Sequence, residues 1–143
     1  MRRGTQNAKL EALRRAPLFE GLSRRELTEL ARVTDELVVS EGTVLCKEGS
    51  TGGEFFVILD GTATVTRRGK PLATRSAGDF VGEIALLTTA KRTATVTATT
   101  KLRCFILTGR DFRRVLDENR SVERKVMRAL AERVLSYAGD SAL

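Results

Sequence analysis

Glu83 and Arg92 stand nine residues apart in the segment GDFVGEIALLTTAKRTATV, which runs from Gly78 to Val96. The first backbone amides of a helical turn have no partner within the helix, point outward and carry the positive end of the helix dipole, so they cradle anions. Ile84 to Leu87, between the two charges, can supply such a turn. An arginine brought in from the β-branched strand that follows adds a permanently charged fork suited to phosphate oxygens. A carboxylate beside the turn accepts hydrogen bonds from sugar hydroxyls. With Arg92 and Glu83 in those roles, the segment has the makings of a pocket for a small phosphorylated ribose.

Composition excludes much other chemistry. The chain has no histidine and no CxxC spacing, so zinc, copper and non-haem iron sites lose their commonest ligands. Nucleophile–histidine catalysis falls for the same reason. The expectation is a binding protein, not an enzyme, with no metal and no cofactor besides its ligand. Cys46 and Cys104 sit 58 positions apart, each in a β-like run, and the start, MRRGTQNAKL, lacks the apolar stretch of a secretory signal. Both are expected to be buried free thiols. No run approaches the roughly 18 apolar residues that cross a bilayer, so the reading is of a soluble, cytoplasmic protein with no membrane partner.

The formal charge of +7 raises the question of nucleic acid. Residues 1–35 carry 8 basic and 5 acidic groups, residues 36–106 carry 9 and 7, and residues 107–143 carry 8 and 6, so the excess is spread and not gathered. Five Arg-Arg pairs lie apart instead of forming one stripe interleaved with aromatics. Solvated helix faces explain them, and no specific DNA binding is expected.

The rest of the chain must position the charged segment, and 143 residues suffice for one core without disulfide or metal. Ala8, Leu10 and Leu13 make a short helical stripe that must stop before Pro17. Ser23-Arg24-Arg25-Glu26 fits a capping box, with Leu22 and Leu27 as its hydrophobic staple, so a second helix starts there. From about Glu36 the period shortens to seven β-branched runs, ELVVS, TVLCK, EFFVILD, TATVTR, PLATR, RTATVTA and LRCFIL, which predict a compact sandwich or barrel. Asp60-Gly61 and Gly69 read as hairpin turns. Helix returns after Leu107, capped by Thr108 and Asp111, and a last helix follows Asn119. The apolar positions of that last helix suit packing on the barrel, a partner helix or a mobile lid, and the sequence does not choose among them.

Helices, then a β-roll carrying GEIALL and RTATV, then two more helices: this arrangement resembles the cyclic nucleotide-binding domain family over roughly Pro17 to Tyr137. Gly42, Gly49, Gly53, Gly61, Gly78 and Gly82 stand where that family's loops turn. The resemblance implies a mainly β fold with flanking helices (α+β). It would be an eight-stranded antiparallel, jelly-roll-like β-roll over about 36–107, with C-terminal helices over about 109–138. The domain would span 17–138, preceded by a helical extension at 1–16 and followed by a flexible tail at 139–143.

By the same resemblance, the phosphate-binding cassette is Gly82 to Ala94. Glu83 would hold the ribose 2′-hydroxyl and Arg92 the cyclic phosphate. The amides of Ala85 and Thr93 would donate to phosphate oxygens, Gly82 would supply a backbone contact near the sugar, and Ile84 and Ala94 complete the ligand-binding stretch. A side chain of the last helix, among Val126, Leu130, Val134 and Tyr137, would cap the base. The implied ligand is cAMP, with cGMP as the other candidate, because Thr93 resembles a hydroxyl tied to guanine recognition in some members and is also tolerated in bacterial cAMP binders. Val81, Lys91 and Arg75 depart from the family's usual aromatic, proline and leucine at those places.

The implied role is a stand-alone sensor that passes a conformational change through the helices after Leu107 to an effector protein, or to another copy as a homodimer through the last helix. The alternative is a degenerate interaction module that keeps the fold and binds no nucleotide; retention of both charged residues weighs against it. A cupin-like enzyme would need histidines, and a DNA-reading helix-turn-helix has no room in the nine residues after Val134.

Overall fold

The structure, a computed structural model, describes residues 2–82 and 91–138. It opens with α1 (Arg2–Arg15), a 3-10 turn (Pro17–Phe19) and α2 (Arg24–Val33). Eight strands follow: β1 (Asp35–Val39), β2 (Val44–Cys46), β3 (Glu54–Asp60), β4 (Ala63–Arg67), β5 (Lys70–Arg75), β6 (Phe80–Val81), β7 (Thr95–Ala98) and β8 (Leu102–Thr108). Two helices close the chain, α3 (Gly109–Glu118) and α4 (Arg120–Ala138). The strands form two antiparallel four-stranded sheets in the orders β1-β8-β3-β6 and β2-β7-β4-β5, the expected β-roll with flanking helices.

Strand β3 explains why the roll and the helices form one body. Successive side chains of a strand point to opposite faces, and EFFVILD is apolar on both. Phe55 and Val57 join Leu13, Phe19, Leu27, Phe112, Val122 and Val126 in a core under the helices. Phe56 and Ile58 point the other way and meet Val65, Val81, Val96, Leu102 and Cys104 inside the roll. Phe55 stacks on Phe112 of α3 with ring centroids 4.0 Å apart, joining sheet to helix with an aromatic pair.

Local chemistry sets the helix ends. Ser23 caps α2 through a complete capping box, and the Thr108 hydroxyl accepts a hydrogen bond from the amide of Asp111 at the start of α3. Two lysines tie helices together by taking up terminal carbonyls, which have no intrahelical donor. Lys9 of α1 donates to the carbonyls of Ala31, at 2.6 Å, and Thr34 at the end of α2. Lys125 of α4 donates to the carbonyls of Pro17 and Glu20 at 3.0 and 2.9 Å.

Three features differ from the sequence expectation. Asp60-Gly61 is not a hairpin turn, because β3 and β4 belong to different sheets and the chain crosses between layers there. Gly61 has φ of +95° and lies against the Lys101 carbonyl, so it turns that corner where a side chain would collide. Phe80–Val81 adds a two-residue strand that lies in none of the seven β-branched runs, since it pairs with Val57 and Phe56. The strand expected from Arg92 begins only at Thr95. By contrast, Gly69 does make a hairpin, with Arg67 paired to Lys70 and both Arg68 and Gly69 at positive φ.

Cys46 and Cys104 form no disulfide and are buried, as expected. Burial pushes the Cys104 thiol up to about 11. The native protein should therefore resist thiol reagents at pH 7 to 8, while the denatured chain reacts at both cysteines; counting labelled thiols with and without denaturant checks this. Because the folded value lies above the ordinary thiol value, this group's stabilisation is complete below about pH 9 and is lost as pH rises toward about 11.

Candidate functional site

The site is built around Arg92, which is 6% exposed. It sits in the loop that leads into β7, and its own backbone fixes it there. Its amide donates to the Ser50 carbonyl and its carbonyl accepts from the Gly49 amide, both at 2.8 Å. The β2–β3 connection therefore holds the residue before the regular ladder of β7 starts. This is why Arg92 reads as strand in sequence yet lies outside one.

The guanidinium is gripped by backbone. Nη1 donates to the Gly82 carbonyl at 2.8 Å and Nη2 to the Glu54 carbonyl at 2.7 Å. Two glycines leave the space it fills. A Cβ on Gly52 would lie 1.7 Å from Arg92 Nε, and one on Gly82 would lie 2.8 Å from Nη1 and 2.7 Å from the Glu54 carbonyl oxygen. Gly82 also has φ of +96°, a conformation that L side chains rarely adopt.

Among the described residues no carboxylate pairs with Arg92, whereas Arg14–Glu11, Arg32–Glu29, Arg103–Glu36 and Arg114–Glu118 do form ion pairs. The described partners of this buried cation are neutral carbonyls, which supply no counter-charge to offset its desolvation. Two of its donors are committed to carbonyls, and a guanidinium has more. The arrangement is suited to an anion with several acceptor oxygens.

The other predicted residues fall around this centre unevenly. Gly82 is half-buried and bonded to Arg92. Thr93 is exposed, and its carbonyl accepts from Arg67 Nε at 3.1 Å. Ala94 packs on the core of the roll. Glu83, Ile84 and Ala85 lie outside the described residues, as does the side chain of Tyr137. Val126 is 1% exposed within the helical core, Leu130 packs on the edge of that core, and Val134 is 59% exposed on the outer side of α4. Val126 thus serves packing with Val122. Of the departures, Val81 is buried and Lys91 is exposed. Arg75 lines a hollow of about 250 Å³ together with Asp79, Glu132 and Arg133.

Sequence reading missed two contributors. Gly52 is one: it lies unmarked between Gly49 and Gly53, yet its missing side chain, with that of Gly82, leaves room for Arg92. Arg133 of α4 is the other. Its guanidinium donates to the Phe80 carbonyl at 2.5 Å and lies 4.5 Å from the centre of the Phe80 ring. Phe80 is two residues before Gly82, so one arginine holds α4 to the strand that leads into the site. The available signal was that Arg133 follows Val126 by seven residues, on the inward face of the helix.

Comparison with known proteins identifies a family. A family model described as cyclic nucleotide-binding domain matches residues 36–119. The cAMP-dependent protein kinase regulatory subunit of Yarrowia lipolytica is 39% identical over 106 residues, covering 73% of this chain and 28% of the relative. A cyclic nucleotide-gated potassium channel of Rhizobium etli is 32% identical over 117 residues, covering 82% of this chain and 33% of the relative. Among solved structures, cAMP-bound PfPKA-R superposes with a TM-score of 0.85 at 24% identity, covering 94% of this chain and 46% of that one, which speaks to the fold. The chain thus spans about a third or less of the length of these curated relatives.

Proposed function

The chain belongs to the cyclic nucleotide-binding domain family, and on that premise we propose that it is a cyclic nucleotide sensor, with cAMP as its ligand, that acts on an effector protein and not on a substrate. The observation that carries this reading is the buried Arg92 guanidinium, held by two carbonyls and two glycine notches with no described carboxylate beside it. A cyclic phosphate supplies a counter-charge to Arg92, and Glu83, by resemblance, takes the ribose hydroxyl. The amides of Ala85 and Thr93 take the remaining phosphate oxygens.

Ligand binding changes the fold only through its different affinity for two states. Phosphate at Arg92 competes with the Gly82 carbonyl for the guanidinium. Gly82 continues the β6 backbone, on which Arg133 of α4 is anchored at Phe80. The cassette and the last helix are thereby linked through four residues, and the effector reads the position of α4.

Mass spectrometry of small molecules released from the purified, denatured protein, followed by titration with both cyclic nucleotides, tests the reading. Release of a cyclic nucleotide, or saturable binding of one, supports it; indifference to both overturns it in favour of an interaction module. In competition titrations cAMP is expected to bind more tightly than cGMP, and Thr93→Ala to weaken cGMP more than cAMP. The reverse order would overturn the base assignment. Among the described residues no helix is long and apolar enough to cross a membrane, and no His/Cys/Asp/Glu group could hold a metal ion.

A further inference from the structure

Two surfaces of this chain lie outside the contacts made by Arg92. One is the outward side of α4, where Met127 is 60%, Val134 59% and Leu135 52% exposed, three of the five large apolar side chains left exposed among the described residues. Arg120, Arg124 and Arg128 are exposed on the same helix. The other is a groove of about 360 Å³ between α2 and α3. Leu22, Leu30, Val33 and Val115 contribute its apolar lining. Its ionic lining comprises Glu26, Glu29, Asp111 and Glu118 against Arg25 and Arg114, a net negative patch on a chain of net charge +7.

We propose that the groove receives the outward side of α4 from a second copy of this chain, so that a two-fold pair fills both grooves. The observation behind the choice of occupant is complementarity: a basic helix with an apolar strip matches an apolar trough with acidic walls. The helix cannot fill its own groove, because its opposite side, through Val122 and Val126, is buried in its own core. Two α4 helices laid parallel, side to side, would set Arg120, Arg124 and Arg128 against their own copies, which like charges disfavour. The carboxylates Glu29 and Glu118 pair with exposed partners one helical turn away, Arg32 and Arg114, and such surface pairs are open to exchange for an incoming arginine. A two-fold axis makes both contacts at once and closes the assembly at two copies.

Sedimentation velocity of the full chain, without nucleotide and across micromolar to sub-millimolar concentrations, tests this independently of ligand binding. The parent is expected to form dimers that weaken as salt rises. Glu29→Lys/Glu118→Lys in the groove and Arg124→Glu/Arg128→Glu on the helix should each weaken dimerisation at least tenfold. An equimolar mixture of the two variants should recover dimer, because each then offers the charge the other lacks. A parent that stays monomeric, or a groove variant that dimerises like the parent, overturns the proposal; the second outcome would point to α4 pairing with α4. Binding of a monomeric parent to vesicles of phosphatidylcholine and phosphatidylserine, abolished by Met127→Glu, would overturn it in favour of a lipid surface. Circular dichroism of every variant separates lost pairing from lost folding.

Discussion

Arg92→Ala is expected to abolish most cAMP binding while leaving the domain folded. Removing one side of a buried charge pair costs about 2–5 kcal/mol, which at about 1.4 kcal/mol per decade corresponds to a roughly 30-fold to several-thousand-fold loss of affinity. The fold should tolerate the change for a reason visible in the site. The guanidinium gives up bonds to the Gly82 and Glu54 carbonyls, but the same substitution removes a buried charge that has no described carboxylate partner. These two effects oppose each other, and the main chain at Arg92 keeps its own bonds to Gly49 and Ser50. Glu83→Ala should weaken binding less, because a sugar hydroxyl is a neutral partner. Calorimetric titration of each variant, beside a thermal melt, measures both quantities. An Arg92→Ala protein that binds cAMP as tightly as the parent would remove the basis for the proposed site.

Arg92 was legible because its charge is written directly in the chain, and the structure buries it; Glu83, nine residues earlier, lies outside the described residues. The capping box at Ser23 and the Thr108 cap were legible too, since both depend on residues three apart. What sequence reading missed depends on contacts across long separations. Gly52 matters because Arg92, forty positions later, occupies the volume where its Cβ would be. Nothing in the local pattern sets it apart from Gly49 or Gly53. Asp60-Gly61 has the composition of a hairpin, but whether two strands pair across a turn is decided by which sheet each joins. The last helix is the clearest case. Its apolar residues run on two sides, and only the packed core shows that Val126 faces inward while Val134 faces out.

Gly52→Ala is the counterpart of the arginine substitution, and it acts without touching any ligand contact carried over from the family. A methyl group at Gly52 would stand 1.7 Å from Arg92 Nε and 2.2 Å from Cζ, so the two cannot coexist with the guanidinium where it is. The yielding partner is the end of a long side chain, not backbone, and Gly52 does not have the positive φ that would strain an alanine. The change in folding stability should therefore be small. The expected loss is in cAMP affinity, at least about 30-fold, approaching that of Arg92→Ala, because a fork that must aim two donors at one phosphate tolerates little displacement. The two substitutions should be strongly non-additive: if Gly52 acts only by leaving room for Arg92, the double variant binds no more weakly than Arg92→Ala alone. Four titrations, of parent, both singles and the double, provide the cycle. Parent-like affinity in Gly52→Ala, or losses that simply add, would show that the glycine does not act through the arginine.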